Sequence, residues 1–315
     1  MRAAPPVRGQ SPNPRGVKEL LKARPTLEGA GVRLHRAFGF GSTAEHDPFL
    51  LLDDFRNEHP EDYVAGFPWH PHRGIETITY VLAGAVEHRD SLGNRGSIGE
   101  ADIQWMTAGR GIIHQEMPTG DPQGRMHGFQ LWANLPSALK MTAPRYQDIK
   151  ARDVPSVTDD DGTTVRIVCG AYHGRLGPVD DVATRPMYFD VSVPAGKRKS
   201  IEVERSSQAF AYVFEGAGSF DSASPPVAMS SRAPRGRVVD KGRTADNRTL
   251  VLFDRGDTIE VQAGEEGIRF LLASGHAIGE PVAWYGPVVM NTEDELRHAF
   301  AQLDEGTFLR PDAPR

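Results

Sequence analysis

The chain holds a single cysteine, Cys169, in 315 residues. One thiol excludes an internal disulfide framework and fits a reducing compartment. Cys169 ends the apolar run Val165-Arg166-Ile167-Val168-Cys169, which reads as a buried structural thiol rather than a nucleophile. No stretch of 18 apolar residues occurs, so no membrane-spanning helix is expected. Charge of one sign is also lacking. Thirty-six Lys and Arg face 42 Asp and Glu, interspersed, for a net charge of −6. That balance excludes the basic footprint of an autonomous nucleic-acid binder. The stretch 1–16 is rich in Pro, Arg and Gly but lacks the apolar core of a signal peptide and any twin-arginine pair. The expectation is a flexible N-terminal extension over residues 1–28 of a cytoplasmic protein.

Glycine and proline are plentiful, at 33 and 24 residues, and 39% of the chain is apolar. This suits many short strands separated by turns, with enough apolar material for a sizeable core. A short helix is expected at Val17 to Ala23, then alternating strands such as Val32 to Phe38 and a buried run at Phe49 to Leu52. A first β-domain is expected over 29–136, a surface linker over 137–164 and a second β-domain over 165–315. The second half repeats the first. Gln208 to Gly216 lies over Glu76 to Gly84 without a gap at an offset of 132, and Gln262-Ala263-Gly264 answers Thr107-Ala108-Gly109. Thr292 and Glu295 form a capping box ahead of Leu296, Ala299, Phe300 and Leu303, which predicts a C-terminal helix.

The chemistry concentrates between Gly66 and Pro118. Alternate residues of a strand share a face, so His70 and His72 project together, as do His114 and Glu116. Two such pairs meeting inside a small barrel give three imidazoles and one carboxylate, a transition-metal site of N and O donors. A lone histidine is usually a core or surface residue. His35, His46, His59, His88, His173, His276 and His298 are read that way. Chance often makes His-x-His, but seldom also a following His-x-Glu behind a glycine turn (Gly109-Arg110-Gly111). Glu76 shares parity with His70 and His72, although Arg73-Gly74 could introduce a bulge. His127 follows the second motif closely and is a candidate to stand behind the metal ligands. Phe67, Trp69 and Trp105 are candidate pocket walls, with core packing the alternative for Trp105. In the repeat, Glu202 and Glu204 align with His70 and His72, and Arg269 and Leu271 with His114 and Glu116. An Arg and a Leu cannot complete a cation site, so no metal is expected in the second half.

The motifs G-F-P-x-H-P-H-R-G-x-E-T-x-T-Y-V-L-x-G and Q-W-M-T-A-G-x-G-I-x-H-x-E-M-P, from Gly66 and Gln104 onward, resemble the pirin family of the cupin superfamily. Further matching segments include Pro144 to Ile149 and Glu280 to Pro287, and the resemblance covers roughly residues 30 to 310. It implies an all-β chain of two tandem cupin double-stranded β-helix (jelly-roll) barrels. It places iron, Fe(2+), in the first barrel on His70, His72, His114 and Glu116. Mn, Co, Ni, Cu or Zn could take its place according to supply. It implies a quercetin 2,3-dioxygenase-type activity on a small aromatic substrate and O2, with Glu116 as catalytic base. The competing class is a non-catalytic, iron-dependent regulator with a protein partner. Sugar isomerisation on a zinc cupin fits the motifs less well. Trp69 departs from the small or acidic residue common there, and the polar loop before Gly66 is long, which leaves the substrate open. Two barrels within one chain predict a monomer.

Overall fold

Strands occur wherever apolar residues alternate between turn signals, and they close into two antiparallel barrels in tandem. The structure, a computed structural model, describes residues 12–220 and 244–309. In the first barrel a four-stranded sheet runs Phe67–His72, Ile112–Thr119, Ala85–Asp90, Arg95–Ile98. It faces a seven-stranded sheet centred on Ile75–Ala83 and His127–Asn134. The second barrel is built on a nine-stranded sheet around Gln208–Ser219 and Thr258–Gly275.

The largest apolar core lies between the barrels. Ile78, Tyr80, Trp105, Phe129 and Leu131 of the first pack against Phe210, Tyr212, Leu250, Leu252 and Leu271 of the second. Strand register reveals the repeat. Tyr80 pairs with Phe129, which pairs on its other side with Asp54. Tyr212 pairs with Leu271, and that with Asp190. The two tyrosines reach across the seam reciprocally. Tyr80 donates to Asp190 Oδ2 at 2.8 Å and Tyr212 to Asp54 Oδ2 at 3.0 Å. Arg269 grips Asp190 through two bonds of 3.0 and 2.7 Å, so the buried charge is paired.

The same register corrects part of the sequence alignment. Ile103 pairs with Tyr80 as Leu250 pairs with Tyr212, which makes Gly256 the counterpart of Gly109. Val261 and Ala263 then stand where His114 and Glu116 stand, and Arg269 answers His127. Ile201 pairs with Ile259 as His72 pairs with Ile112, so Ile201 and Lys199, not Glu204 and Glu202, answer His72 and His70. The gapless offset fails because the second half carries extra residues before Gln208.

The chain ends are also placed differently. Val17–Lys22 is not a helix but a strand, antiparallel to Thr249–Phe253 on the edge of the second sheet. Its Val17, Leu20 and Leu21 have helical spacing, yet a sheet edge with two apolar faces buries Leu20 on one side and Leu21 on the other. Tertiary context overrides local preference here. Arg24–Glu28 pairs with Val32–Phe38, and the Arg15 guanidinium is buried against the carbonyls of Glu204, Ser207, Asp254 and Gly256. The expected flexible extension is therefore ordered from residue 12, and 1–11 lie outside the described residues.

Within the expected linker, Arg145–Ile149 joins the first sheet and Ser156–Thr158 the second. The capping box of the terminal helix Glu293–Asp304 is present. That helix and the hairpin Ala283–Tyr285/Val288–Met290 pack not on the second barrel but against Ile112, Ile113, Ile75 and Met106 of the first. The two barrels thus exchange chain ends.

Candidate metal centre

His70 and His72 lie on Phe67–His72, an edge strand that pairs only with Ile112–Thr119. An edge tolerates Pro68 and Pro71, which lack the N–H a central strand would need. Pro71 and Ile113 face away, and His70 stands opposite His114 in register. The strand ends at Gly74, whose φ of +78° suits glycine and where a Cβ would lie 1.9 Å from the Val289 carbonyl. Close behind, the Lys140 ammonium donates to the carbonyls of Gly74 and Val289 and to Asn134 Oδ1. Buried Arg73 donates to the Phe308 carbonyl and Gln302 Oε1 and stacks on the Phe308 ring. The C-terminal segment is thereby fastened to the histidine strand.

Three imidazoles converge. His70 Nε2 is 3.1 Å from His72 Nε2 and 2.9 Å from His114 Nε2. His70 Nδ1 lies 2.8 Å from the Pro68 carbonyl and His72 Nδ1 3.2 Å from the Pro287 carbonyl. A carbonyl only accepts, so both Nδ1 atoms carry the proton and both Nε2 atoms present lone pairs. Facing lone pairs at that distance repel unless a cation lies between them. Imidazoles bound at ~2.1 Å and at right angles would sit ~3.0 Å apart, which matches the spacing. Burial holds the pKa of His72 and His114 well below the usual histidine value, aided by the neighbouring imidazoles. Both therefore stay in the neutral form that ligates. The residues present fit a divalent metal, and no other group of three or more His, Cys, Asp or Glu converges among the described residues.

Glu116 faces the same interior one pleat further along, beyond a bulge that sets it opposite Phe67. It is not part of the imidazole cluster. Its carboxylate accepts from Gln130 Nε2 at 3.0 Å and from Thr79 Oγ1 at 3.2 Å. Trp132 Nε1 donates to Gln130 Oε1 at 3.0 Å, which turns Gln130 Nε2 toward Glu116. Beside Glu116 lies a cavity of about 30 Å³, walled by Phe55, Tyr63, Phe67, Val86, Pro118 and Met126.

Of the other candidates, Phe67 lines this cavity, and Trp69, on the same strand, is 53% exposed and does not line it. Three lie elsewhere. The turn at Gly74 resets the parity, so Glu76 points into the inter-barrel layer and accepts from Thr107 Oγ1 at 2.7 Å. Trp105 is buried in the same layer. His127 sits at the seam, edge-on to Phe129 and Phe214, 3.9 Å from Asp54.

Sequence reading missed Thr79, Gln130 and Trp132. A glutamine inside the apolar strand Phe129-Gln130-Leu131-Trp132 was the available signal. It also missed His88, which strand alternation turns inward with Val86 and Asp90. The Pro287 carbonyl had no signal in the sequence at all.

The chain is similar to known proteins in sequence and in fold. Residues 31–133 match the Pirin family model and residues 188–309 the Pirin C-terminal cupin domain. A pirin-like protein of Caulobacter vibrioides is 44% identical over 93% of this chain and 99% of its own. A Pseudomonas aeruginosa protein that carries a provisional quercetin 2,3-dioxygenase name is 39% identical over 93% and 98%. The crystal structure of quercetin 2,3-dioxygenase from Acinetobacter baumannii superposes with a TM-score of 0.79 at 29% identity, covering 94% of this chain and 99% of that one.

Proposed function

The chain belongs to the pirin family, and we propose that it acts as a metal-dependent dioxygenase, opening a flavonol-like ring with O2 in the manner of quercetin 2,3-dioxygenase. The observation that carries this reading is the triangle of inward Nε2 atoms with a carboxylate facing the same interior. His70, His72 and His114 would hold Fe(II), with Glu116 available as the fourth donor. Bound there, the ion supplies Lewis acidity toward a substrate hydroxyl and a redox couple for O2.

The remaining work falls to the chain's own residues. Glu116 accepts the proton of the substrate hydroxyl, and Gln130 and Thr79 hold its carboxylate in line to do so. Phe67, Tyr63 and Met126 offer an apolar wall to a planar ring and keep water away from the carboxylate.

One observation favours a second reading, a non-catalytic, metal-dependent regulator that binds a protein partner. The cavity of about 30 Å³ holds a water or two, whereas pockets for drug-sized ligands run to roughly 300–1,000 Å³. A flavonol therefore requires the walls around Phe67 and Tyr63 to part.

Anaerobic loading with Fe(II), followed by oxygen uptake with and without quercetin, separates the two. The dioxygenase reading expects uptake matched by quercetin loss and abolished in His114→Ala. Metal bound one per chain with no uptake on quercetin or other flavonols would overturn it in favour of the regulator.

A further inference from the structure

We infer that His88, backed by Asp90, is a positioning residue that holds His114 in its metal-binding orientation. The inference rests on the reading that His70, His72 and His114 bind a metal.

His88 is 2% exposed, and neither of its ring nitrogens has a hydrogen-bond partner. The same holds for His114 Nδ1, while the Tyr146 hydroxyl donates to the Asp90 carboxylate. These groups are contiguous. The His88 ring centroid lies 5.3 Å from that of His114 and 5.1 Å from that of Tyr146. Asp90 Oδ2 is 3.7 Å from His88 Nε2. The Asp90 carboxylate is fixed in place by the backbone amides of Leu92 and Asn94 and by Asn94 Nδ2. Buried polar groups are nearly always paired, so three unpaired nitrogens in one patch call for a cause.

Metal ligation supplies one. When Nε2 of a histidine binds a metal, its proton resides on Nδ1, and that N–H needs an acceptor behind it. His70 and His72 have the Pro68 and Pro287 carbonyls. His114 has no carbonyl, and the group against it is His88. A neutral imidazole has one acceptor and one donor. His88 Nδ1 can take the N–H of His114 while His88 Nε2–H turns to Asp90. A small rotation of the ring, or a single bridging water, closes the gaps. The result is a chain of carboxylate, histidine, histidine and metal, in which Asp90 fixes the tautomer of His88 and His88 that of His114. A histidine buried for packing alone has no need of a carboxylate on one side and a ligand on the other.

The test measures Co(II) affinity of the full chain by chelator competition, beside the melting temperature of the metal-free protein. His88→Leu removes two unpaired nitrogens from the interior, so the metal-free protein keeps or raises its melting temperature. Its Co(II) affinity falls roughly 10–100-fold. His88→Gln, whose amide both accepts and donates, recovers most of that loss. A purely structural His88 gives the opposite pattern, a lower melting temperature with unchanged affinity, and that result overturns the inference. If the wild-type chain fails to bind Co(II), or His70→Ala binds it equally well, the metal reading itself falls. Wild-type binding with His88→Leu unchanged sinks His88 alone. Should His88→Leu not fold, NMR of the Zn(II)-loaded wild-type chain decides: a slowly exchanging Nδ1–H on His114 is expected, and its absence overturns the proposal.

Discussion

Acid should loosen the seam between the barrels through one residue, His127. Burial among Phe129, Phe214 and the arginines Arg56, Arg269 and Arg248 lowers its pKa to about 4, and Asp54 only partly opposes this. The unfolded chain protonates this imidazole below its ordinary value of 6.5, while the folded chain resists. Its contribution to stability is therefore complete above about pH 6.5 and is lost as pH falls toward 4. The linkage comes to about 2 kcal/mol between pH 7 and pH 5, and about 3 kcal/mol at its limit. Asp53 works in the other direction, because burial raises its pKa to about 6, so its contribution grows as pH falls below that value. The wild-type curve alone would thus conceal both effects. Urea unfolding of metal-free wild type and His127→Gln, run in parallel from pH 7 to pH 5, isolates the histidine. The stability difference should shift by about 2 kcal/mol in favour of the variant on the acid side. Two curves that stay parallel within about 0.5 kcal/mol would show that His127 titrates normally and is not sealed in the seam.

Other perturbations have equally definite outcomes. Gly74→Ala forces a Cβ into the Val289 carbonyl at a positive φ, so it should lower stability by about 3 kcal/mol and expose the C-terminal hairpin to protease. Gln130→Leu should leave metal content at one per chain while cutting oxygen uptake at least about tenfold, because Glu116 loses the donor that orients it. Tyr80→Phe and Tyr212→Phe each remove one hydroxyl from a buried carboxylate and should each cost about 1–3 kcal/mol in denaturant unfolding. Chelation should lower the melting temperature of wild type and leave that of His70→Ala and His114→Ala unchanged, since only a protein that binds metal gains stability from it.

The imidazole cluster was legible because strand alternation is a local rule, and His-x-His and His-x-Glu obey it. Alternation also misled at Glu76, where the positive-φ turn at Gly74 resets which face is which. Trp105, for which core packing was the alternative reading, and His127 were ambiguous for a different reason. Strands such as Ile103–Thr107 are buried on both faces, so nothing in their composition tells the barrel interior from the inter-barrel layer. His88 was hidden by its charged neighbours Glu87 and Arg89, which make the strand look solvated although every second residue points inward. Gln130 carried a signal, a polar residue in an apolar strand, whose purpose shows only once Glu116 stands opposite. The placement of both chain ends was beyond local reading, because Val17–Lys22 and Thr249–Phe253 meet only in the folded state.

The exchange of chain ends has a consequence for synthesis on the ribosome. Val17–Lys22, which completes the edge of the second sheet, is made well before its partner Thr249–Phe253 and must wait for it. The histidine strand lacks the Pro287 carbonyl and the Phe308 clamp until residues 287–308 emerge. The first barrel cannot finish before the second has been made. The centre acquires its full set of supports only once Phe308 has emerged, so the site is completed after the second barrel has been made. A nonsense mutation anywhere before Pro287 would leave an imidazole without its tautomer lock, however intact the first barrel's own sequence.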